Sequence, residues 1–255
     1  MGAGPARRRP AYAIGSVDNA LRLLQILRDV GAVRGKEAAE ELGIAPSSVH
    51  RLMAMLVFRG FAVQDESRLY LPGPAIGIRP ADFEDTRRLQ QAVRPHLERL
   101  RDAIDETTNL SILVRTSVRF IFTAEARRPP TGDRYGFVIP AHSSAAGRAI
   151  LASKPASEVT GLYHPEQGAA LLGDAELARL LDQLRRVREL GYSLSVEETE
   201  AGIASVAVPI RVGLQPASAV SIASTTARLR HITDSSVIAG LLGARDAIEA
   251  ELDAR

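Results

Sequence analysis

Apolar positions recur every three or four residues through Val17, Ala20, Leu21, Leu24 and Leu27, which predicts an amphipathic helix ending near Gly31 with Ser16 as its N-cap. The following stretch, 36–42, sets Ala38, Ala39 and Leu42 on one face and Glu37, Glu40 and Glu41 on the other. Gly43 stops it, because glycine tolerates the left-handed backbone of a helix end. Pro46 suits the first position of the next helix, where no N–H is required, and Ile44 is expected to anchor the turn in the core. Val49, Leu52, Met53 and Leu56 then repeat at helical spacing, leaving Ser47, Ser48, His50 and Arg51 as polar groups on or beside the opposite face. After Gly60 the pattern shortens: Phe61 to Val63 and Leu69 to Leu71 flank a turn from Gln64 to Arg68. Three helices and a hairpin make a winged helix-turn-helix, and the small, polar start of its last helix is where such a fold meets base edges in a major groove. A plain trihelical packing unit would share the apolar pattern but has no need of a Ser-Ser-x-His-Arg patch.

Pro72, Gly73, Pro74 and Pro80 break the periodicity and place a domain boundary between Gly73 and Phe83. From Glu84 to Glu106, Leu89, Val93, Leu97, Leu100 and Ile104 predict a long helix, with Pro95 expected to kink or restart it. That helix either pairs with its copy in a dimer or packs on its own domain. Beyond it, Asn109 to Val114 and Val118 to Ala124 read as strands joined at Thr116-Ser117, followed by a Pro-, Gly- and Arg-rich loop from Arg127 to Gly136. A short strand at Val138 enters a helix that begins with small residues around Ser144, Ala145 and Ala146. Asp174 to Leu190 is an amphipathic helix, Tyr192 to Glu197 a strand, and Ile203 to Val212 and Ala217 to Thr225 two strands across a turn at Gly213 to Pro216. A final helix spans Asp234 to Leu252. This order predicts an α+β domain, an antiparallel sheet with flanking helices, of the kind used to sense small molecules. The expected layout is a disordered basic tail (1–15), the winged helix-turn-helix (16–76), a linker and linker helix (77–106) and an effector-binding and oligomerisation domain (107–255).

Composition narrows the class. The chain has 255 residues, 45% of them hydrophobic, enough for two cores. No run approaches the ~20 apolar residues of a membrane span, and no apolar core follows Arg7-Arg8-Arg9 to make a signal peptide, so a cytoplasmic protein is expected. Cysteine is absent, which excludes disulfides, thiolate metal sites and cysteine nucleophiles. Formal charge is only +2, but residues 1–80 hold 11 Lys or Arg against 7 Asp or Glu, and the rest 21 against 23. The basic excess therefore lies with the helix-turn-helix, as phosphate binding wants. The arginines of the tail would suit a minor groove or phosphates, and equally a solvated tail.

Candidate chemistry is sparse. His50, His96, His142, His164 and His231 show no metal-ligand spacing, and no phosphate-binding loop or GxGxxG occurs, so no cofactor or metal is expected. His142 precedes Ser143-Ser144, yet no GxSxG elbow and no orienting acid accompany it, so the chain does not read as an enzyme. The helix start at Ser144 to Ala146 offers unpaired N–H groups to an anion such as a carboxylate; close packing of helix on sheet would select the same small residues. Glu197, Glu198 and Glu200 form an acidic cluster that reads as a solvated turn or the rim of a pocket.

With these pieces assembled, the chain resembles the IclR family of bacterial transcriptional regulators from Ser16 onward. SVDNALRLLQIL is similar to the family's opening helix, APSSVHRLMAMLVFRGF to its recognition helix, and LYLPGPAIGI to the exit from the wing. PAHSSAAGRAILA, RRVRELGYSLSVEETEAGIASVAVPI and SAVSIASTTARLR are similar to three blocks of its effector domain. The resemblance implies a dimer or dimer of dimers on a roughly palindromic double-stranded operator, and a GAF-like domain for a small organic acid or aromatic metabolite. It places Ser47, Ser48, His50 and Arg51 on DNA, with Arg68 and Tyr70 touching the backbone from the wing. The effector pocket falls on Ser144, Ala145, Ala146, Ser195, Ser205, Ser221 and Ala223.

The chain departs from the family in places. Members that take small keto acids tend to carry Asp at the position of Ser195 and Ser at that of Ala223, and the usual Gly-Lys is Gly147-Arg148. Thr116-Ser117 replaces an Asp-Gly turn, Ala223-Ser224 replaces Ser-Gly, and the segment from Ile78 to Asp85 is shortened. A less polar pocket would favour a larger or more apolar ligand. The rival reading is a DNA-binding dimer whose second domain only oligomerises, its effector binding lost.

Overall fold

The computed structural model describes Tyr12 and residues 14–73, 75–76, 83–127, 134–164, 171–211 and 217–254, with residues 83–85 described by their backbone alone. The basic tail, the shortened segment before Phe83 and the turn from Gly213 to Pro216 fall outside these residues, wholly or in their greater part. Two compact units are present, Met1–Ile78 and Arg79–Arg255.

In the first unit, α1 (Gly15–Val30), α2 (Gly35–Leu42) and α3 (Pro46–Phe58) enclose a core of Leu23, Leu27, Ala38, Leu42, Val49 and Met53. The inward stripe of α1 is Leu23, Ile26 and Leu27, while Val17 and Leu21 are more than half exposed. The periodic reading was rotated because both faces of this helix carry leucines, and only the packing partners choose between them. Ser16 lies inside the first turn, and Ile14 is the capping residue. Gly31 and Gly43 both close their helices with a left-handed backbone. The wing is β2 (Ala62–Gln64) paired antiparallel with β3 (Leu69–Pro72), joined by a third strand, β1 (Val33–Arg34), that hydrophobic pattern alone did not show.

The second unit is built on an antiparallel sheet in the order β6-β5-β4-β9-β8-β7. Its strands are β4 (Thr107–Val114), β5 (Ser117–Ala124), β6 (Val138–Pro140), β7 (Ser193–Val196), β8 (Ile203–Ile210) and β9 (Ser218–Thr225). Alternation sends Leu110, Ile112, Val206, Val208, Val220 and Ile222 to one face. There they meet α4 (Phe83–Ile104), the short α8 (Leu229–Ile232) and α9 (Ser235–Asp253). The long helix expected as a linker is thus part of this unit's own core, through Leu89, Val93, Leu97 and Leu100. Burying each of these is worth ~1.5–3 kcal/mol. The helix runs unbroken past Pro95.

The opposite face carries α5 (Ala145–Ala152), α6 (Ala156–Tyr163) and α7 (Asp174–Leu190) over Ala207, Ala219 and Val118. A bulge shifts the β4–β5 register at Leu110/Ser111, so that Phe120 and Phe122 are paired and Ile121 is not. The carbonyl of Ile121 accepts from the Gln90 amide of α4 at 2.6 Å. Ile121 and Phe122 both join the α4 side, which leaves Phe120 facing the α5 side. The turn between β6 and α5 can fold back against α5 because residue 147 is glycine: a Cβ there would fall 2.2 Å from the Ala141 carbonyl oxygen.

Candidate DNA-binding and effector sites

Helix α3 presents the first site. Pro46 occupies its first turn, and Val49, Met53 and Leu56 bury the inner face. Ser47, Ser48, His50 and Arg51 are all exposed at its N-terminal end. Ser48, His50 and Arg51 also line a groove of about 750 Å³ whose other wall includes Ser16 and Asn19 of α1. Those two α1 residues were missed by the sequence reading, which had assigned Ser16 to capping.

The wing is fixed by Asp65, whose carboxylate accepts from the Leu69 N–H at 2.9 Å and the Ser67 hydroxyl at 2.8 Å. These bonds hold the Asp65 carboxyl below its ordinary value. Arg34 reaches from β1 to the Ser67 carbonyl at 3.3 Å. Arg68, in a left-handed backbone with φ 61°, is exposed at the tip. Tyr70 requires a correction. It is only 5% exposed and belongs to the core of the unit, because alternation along β3 turns it inward between Leu69 and Leu71. Its ring fills space in this core.

The second site arises from sheet register. Residues paired across strands share a face. One rung is Asn109, Ser221 and Ala207; the next is Thr107, Ala223, Ser205 and Ser195. These small and polar side chains lie under the first turn of α5, where Ser144 caps the helix by accepting the Gly147 N–H at 3.1 Å. A cavity of about 30 Å³ remains between them. Ser144, Ala145, Ala146, Ser205, Ser221 and Ala223 all line it. Ser195 is a correction: it does not line the cavity, and its buried hydroxyl donates to the Ser143 carbonyl at 3.1 Å, tying β7 to the turn before α5.

Six lining residues were not legible in the sequence as pocket residues, Asn109, Phe120, Arg134, Ile139, Thr199 and Ile203, and Asn109 and Arg134 among them carry buried polar groups. Asn109 is fully buried; its Oδ1 accepts from Thr123 across the β4–β5 pair, and its Nδ2 has no partner. Arg134 is 7% exposed, lies near the ring of Phe137, donates through one terminal nitrogen to Glu200 and leaves its buried Nε unpartnered. It is placed by backbone bonds from Gly136 to the Phe120 carbonyl and from Phe137 to its own carbonyl, so the β5 strand at Phe120 sets its position. Nothing periodic marks an arginine in a Pro- and Gly-rich loop.

The acidic cluster is partly absorbed in this frame. Glu198 takes both terminal nitrogens of Arg148 at 2.6 Å, and one of these also donates to the Leu194 carbonyl. Glu197 accepts the Gly202 N–H at 2.9 Å and closes the β7–β8 turn. His142 lies edge-on to Tyr163, and burial holds its imidazole below the ordinary value. Among the described residues no group of His, Asp or Glu could hold a metal ion, and no helix is long and apolar enough to cross a membrane.

A winged helix-turn-helix followed by this α+β domain is matched by two family patterns in the same order. That of the IclR helix-turn-helix domain covers residues 16–66, and that of the bacterial transcriptional regulator IclR C-terminal domain covers residues 84–250. The chain belongs to the IclR family. It is 30% identical over 235 residues to the acetate operon repressor of Salmonella typhimurium, spanning 87% of this chain and 83% of that one. With the transcriptional repressor IclR of Escherichia coli it shares 29% identity over 91% of this chain and 90% of that one. The Thermotoga maritima IclR structure superposes with a TM-score of 0.58 at 23% identity, covering 93% and 98% of the two chains. An IclR homologue from Microbacterium hydrocarbonoxydans, complexed with 4-hydroxybenzoate, gives 0.56 at 21% over 94% and 100%. Members of this IclR family are transcriptional regulators, not enzymes, with a helix-turn-helix that binds DNA and a C-terminal domain for a ligand.

Proposed function

We propose that the chain regulates transcription from a roughly palindromic operator as a dimer or dimer of dimers in the cytoplasm, under control of a small organic acid or aromatic metabolite. Ser47, Ser48, His50 and Arg51 read the major groove, and Arg68 contacts phosphate from the wing. The exposure of all four α3 residues on a helix whose other face is fully committed to the core supports this. The acid group of the effector enters the cavity beneath the α5 N-terminus, between Ala145 and Ala146 on one side and Ser205, Ser221 and Ala223 on the other. The observation that carries this half is the coincidence, around one cavity, of a helix start with two residues, Asn109 and Arg134, that each hold a buried donor without a partner. An effector acts only by binding two arrangements of the dimer with different affinity.

The test is binding of the purified protein to DNA from its own upstream region at two salt concentrations, with and without candidate metabolites. Saturable, sequence-selective binding that weakens with salt is expected. Arg51→Ala should weaken it by at least ~1 kcal/mol; unchanged affinity removes Arg51 from the interface. If DNA binds but no metabolite alters affinity or raises the melting temperature, the second domain only oligomerises.

A further inference from the structure

Among the described residues, every polar side chain lining the α5 cavity carries a hydrogen-bond donor and none is a carboxylate. Two of these donors, Asn109 Nδ2 and Arg134 Nε, are buried without a partner. Leaving a donor unpaired in a folded interior is costly, so such groups call for an explanation in ligand chemistry or strain. The N–H groups of Ala145 and Ala146 add to the set, since the first turn of a helix has no internal acceptors. The donors of this cluster come from one guanidinium, paired on one side with Glu200, and one helix N-terminus. A cavity of about 30 Å³ holds roughly two water-sized groups, the size of the two oxygens of a carboxylate.

The guanidinium is already shared. Glu200, half exposed and next to the lining residue Thr199, takes one terminal nitrogen of Arg134. An arginine fork has five donors and binds a carboxylate best through two parallel bonds. The unspent Nε therefore marks a fork only partly used by its internal partner.

We propose that Arg134 and Asn109 form the carboxylate anchor of the effector, and that Glu200 is the internal carboxylate that competes for it. This rests on the reading of the cavity as the effector site. The ligand carboxylate takes Nε and a terminal nitrogen of Arg134 together with Asn109 Nδ2, and Glu200 returns to water, releasing the β7–β8 turn from the Arg134 loop. A neutral amide of the same shape cannot make this exchange.

The experiment is titration calorimetry on the full chain with pyruvate, benzoate and 4-hydroxybenzoate, each against its neutral amide, with Arg134→Gln, Arg134→Lys and Glu200→Gln. Backbone amide resonances of Ala145 and Ala146 report occupancy of the cavity. The expected result is an acid that binds at least tenfold more tightly than its amide and loses tenfold or more in Arg134→Gln. The same acid should be only partly recovered by Arg134→Lys, which keeps charge without the fork, and should bind several-fold more tightly in Glu200→Gln. Because Glu200 is half exposed, that gain is measured on an intact fold even if the Arg134 variants unfold. Equal binding of acid and amide, or weaker acid binding in Glu200→Gln, overturns the anchor while leaving the effector site standing. No response at Ala145 and Ala146 to any probe, in wild type or Glu200→Gln, overturns both.

Discussion

The Arg148–Glu198 pair should respond asymmetrically to removal of its two members. The Arg148 side chain is 4% exposed and that of Glu198 38%. Glu198→Ala leaves a buried guanidinium with only the Leu194 carbonyl as partner. Breaking a buried pair in this way costs ~3–5 kcal/mol; the partial exposure of Glu198 lets water reach the site and brings the figure to ~2–3 kcal/mol. Arg148→Met removes the charge instead and keeps an apolar stem in place, while the freed Glu198 carboxylate rehydrates. Its cost is that of a lost acceptor bond at Leu194, ~1 kcal/mol. For a unit of this size ~2–3 kcal/mol corresponds to a melting temperature lower by ~4–12 °C. Urea or thermal denaturation of the C-terminal unit measures both variants and the double mutant. The double mutant should be no less stable than Arg148→Met alone, because no unpaired charge remains. If Arg148→Met is the more damaging single change, or if the two losses simply add, the argument from burial is wrong. The pair also fastens α5 to the turn that frames the cavity, so the ranking bears on how rigidly the site is held.

Three further outcomes follow from named contacts. Tyr70→Phe should leave operator affinity unchanged, whereas Tyr70→Ala should destabilise the winged unit by ~3–5 kcal/mol in a denaturation experiment, as truncations of large core aromatics do; a large affinity loss in Tyr70→Phe would return Tyr70 to the interface. The Asp65 carboxyl is depressed, first by the Leu69 N–H and then by the Ser67 hydroxyl, so its support of the wing is present above its ordinary value of 3.8 and lost as pH falls through the depressed one. The protection of the Leu69 amide, its exchange rate relative to the intrinsic rate at the same pH, should fall over that interval in the wild type and should already be low and independent of pH in Asp65→Asn. Burial lowers the His142 pKa below 6.5, so the unfolded state takes up the proton first and the stability of the C-terminal unit should decline as pH drops beneath 6.5. His142→Gln should flatten that slope in pH-dependent melting curves.

Most elements and their order were legible in the sequence because apolar spacing is local, whereas the short β1, α6 and α8 were not. The recognition-helix face at Ser47, Ser48, His50 and Arg51 followed from the committed positions Val49, Met53 and Leu56. Half of the residues that line the cavity are ones the resemblance had pointed to, Ser144, Ala145, Ala146, Ser205, Ser221 and Ala223. What local pattern could not decide depended on partners far along the chain. The working face of α1, the inward turn of Tyr70 and the packing of α4 on its own sheet were each chosen by which surface another element offered. Asn109 reaches Ser221 only through the β4–β9 register, and Arg134 is held at the cavity by the backbone bonds of Gly136 and Phe137 with Phe120. Sequence determines periodicity and caps, since these act within a turn or a strand; which polar side chains are brought into one place, and which of them are left without partners, is decided by tertiary contacts across more than a hundred residues.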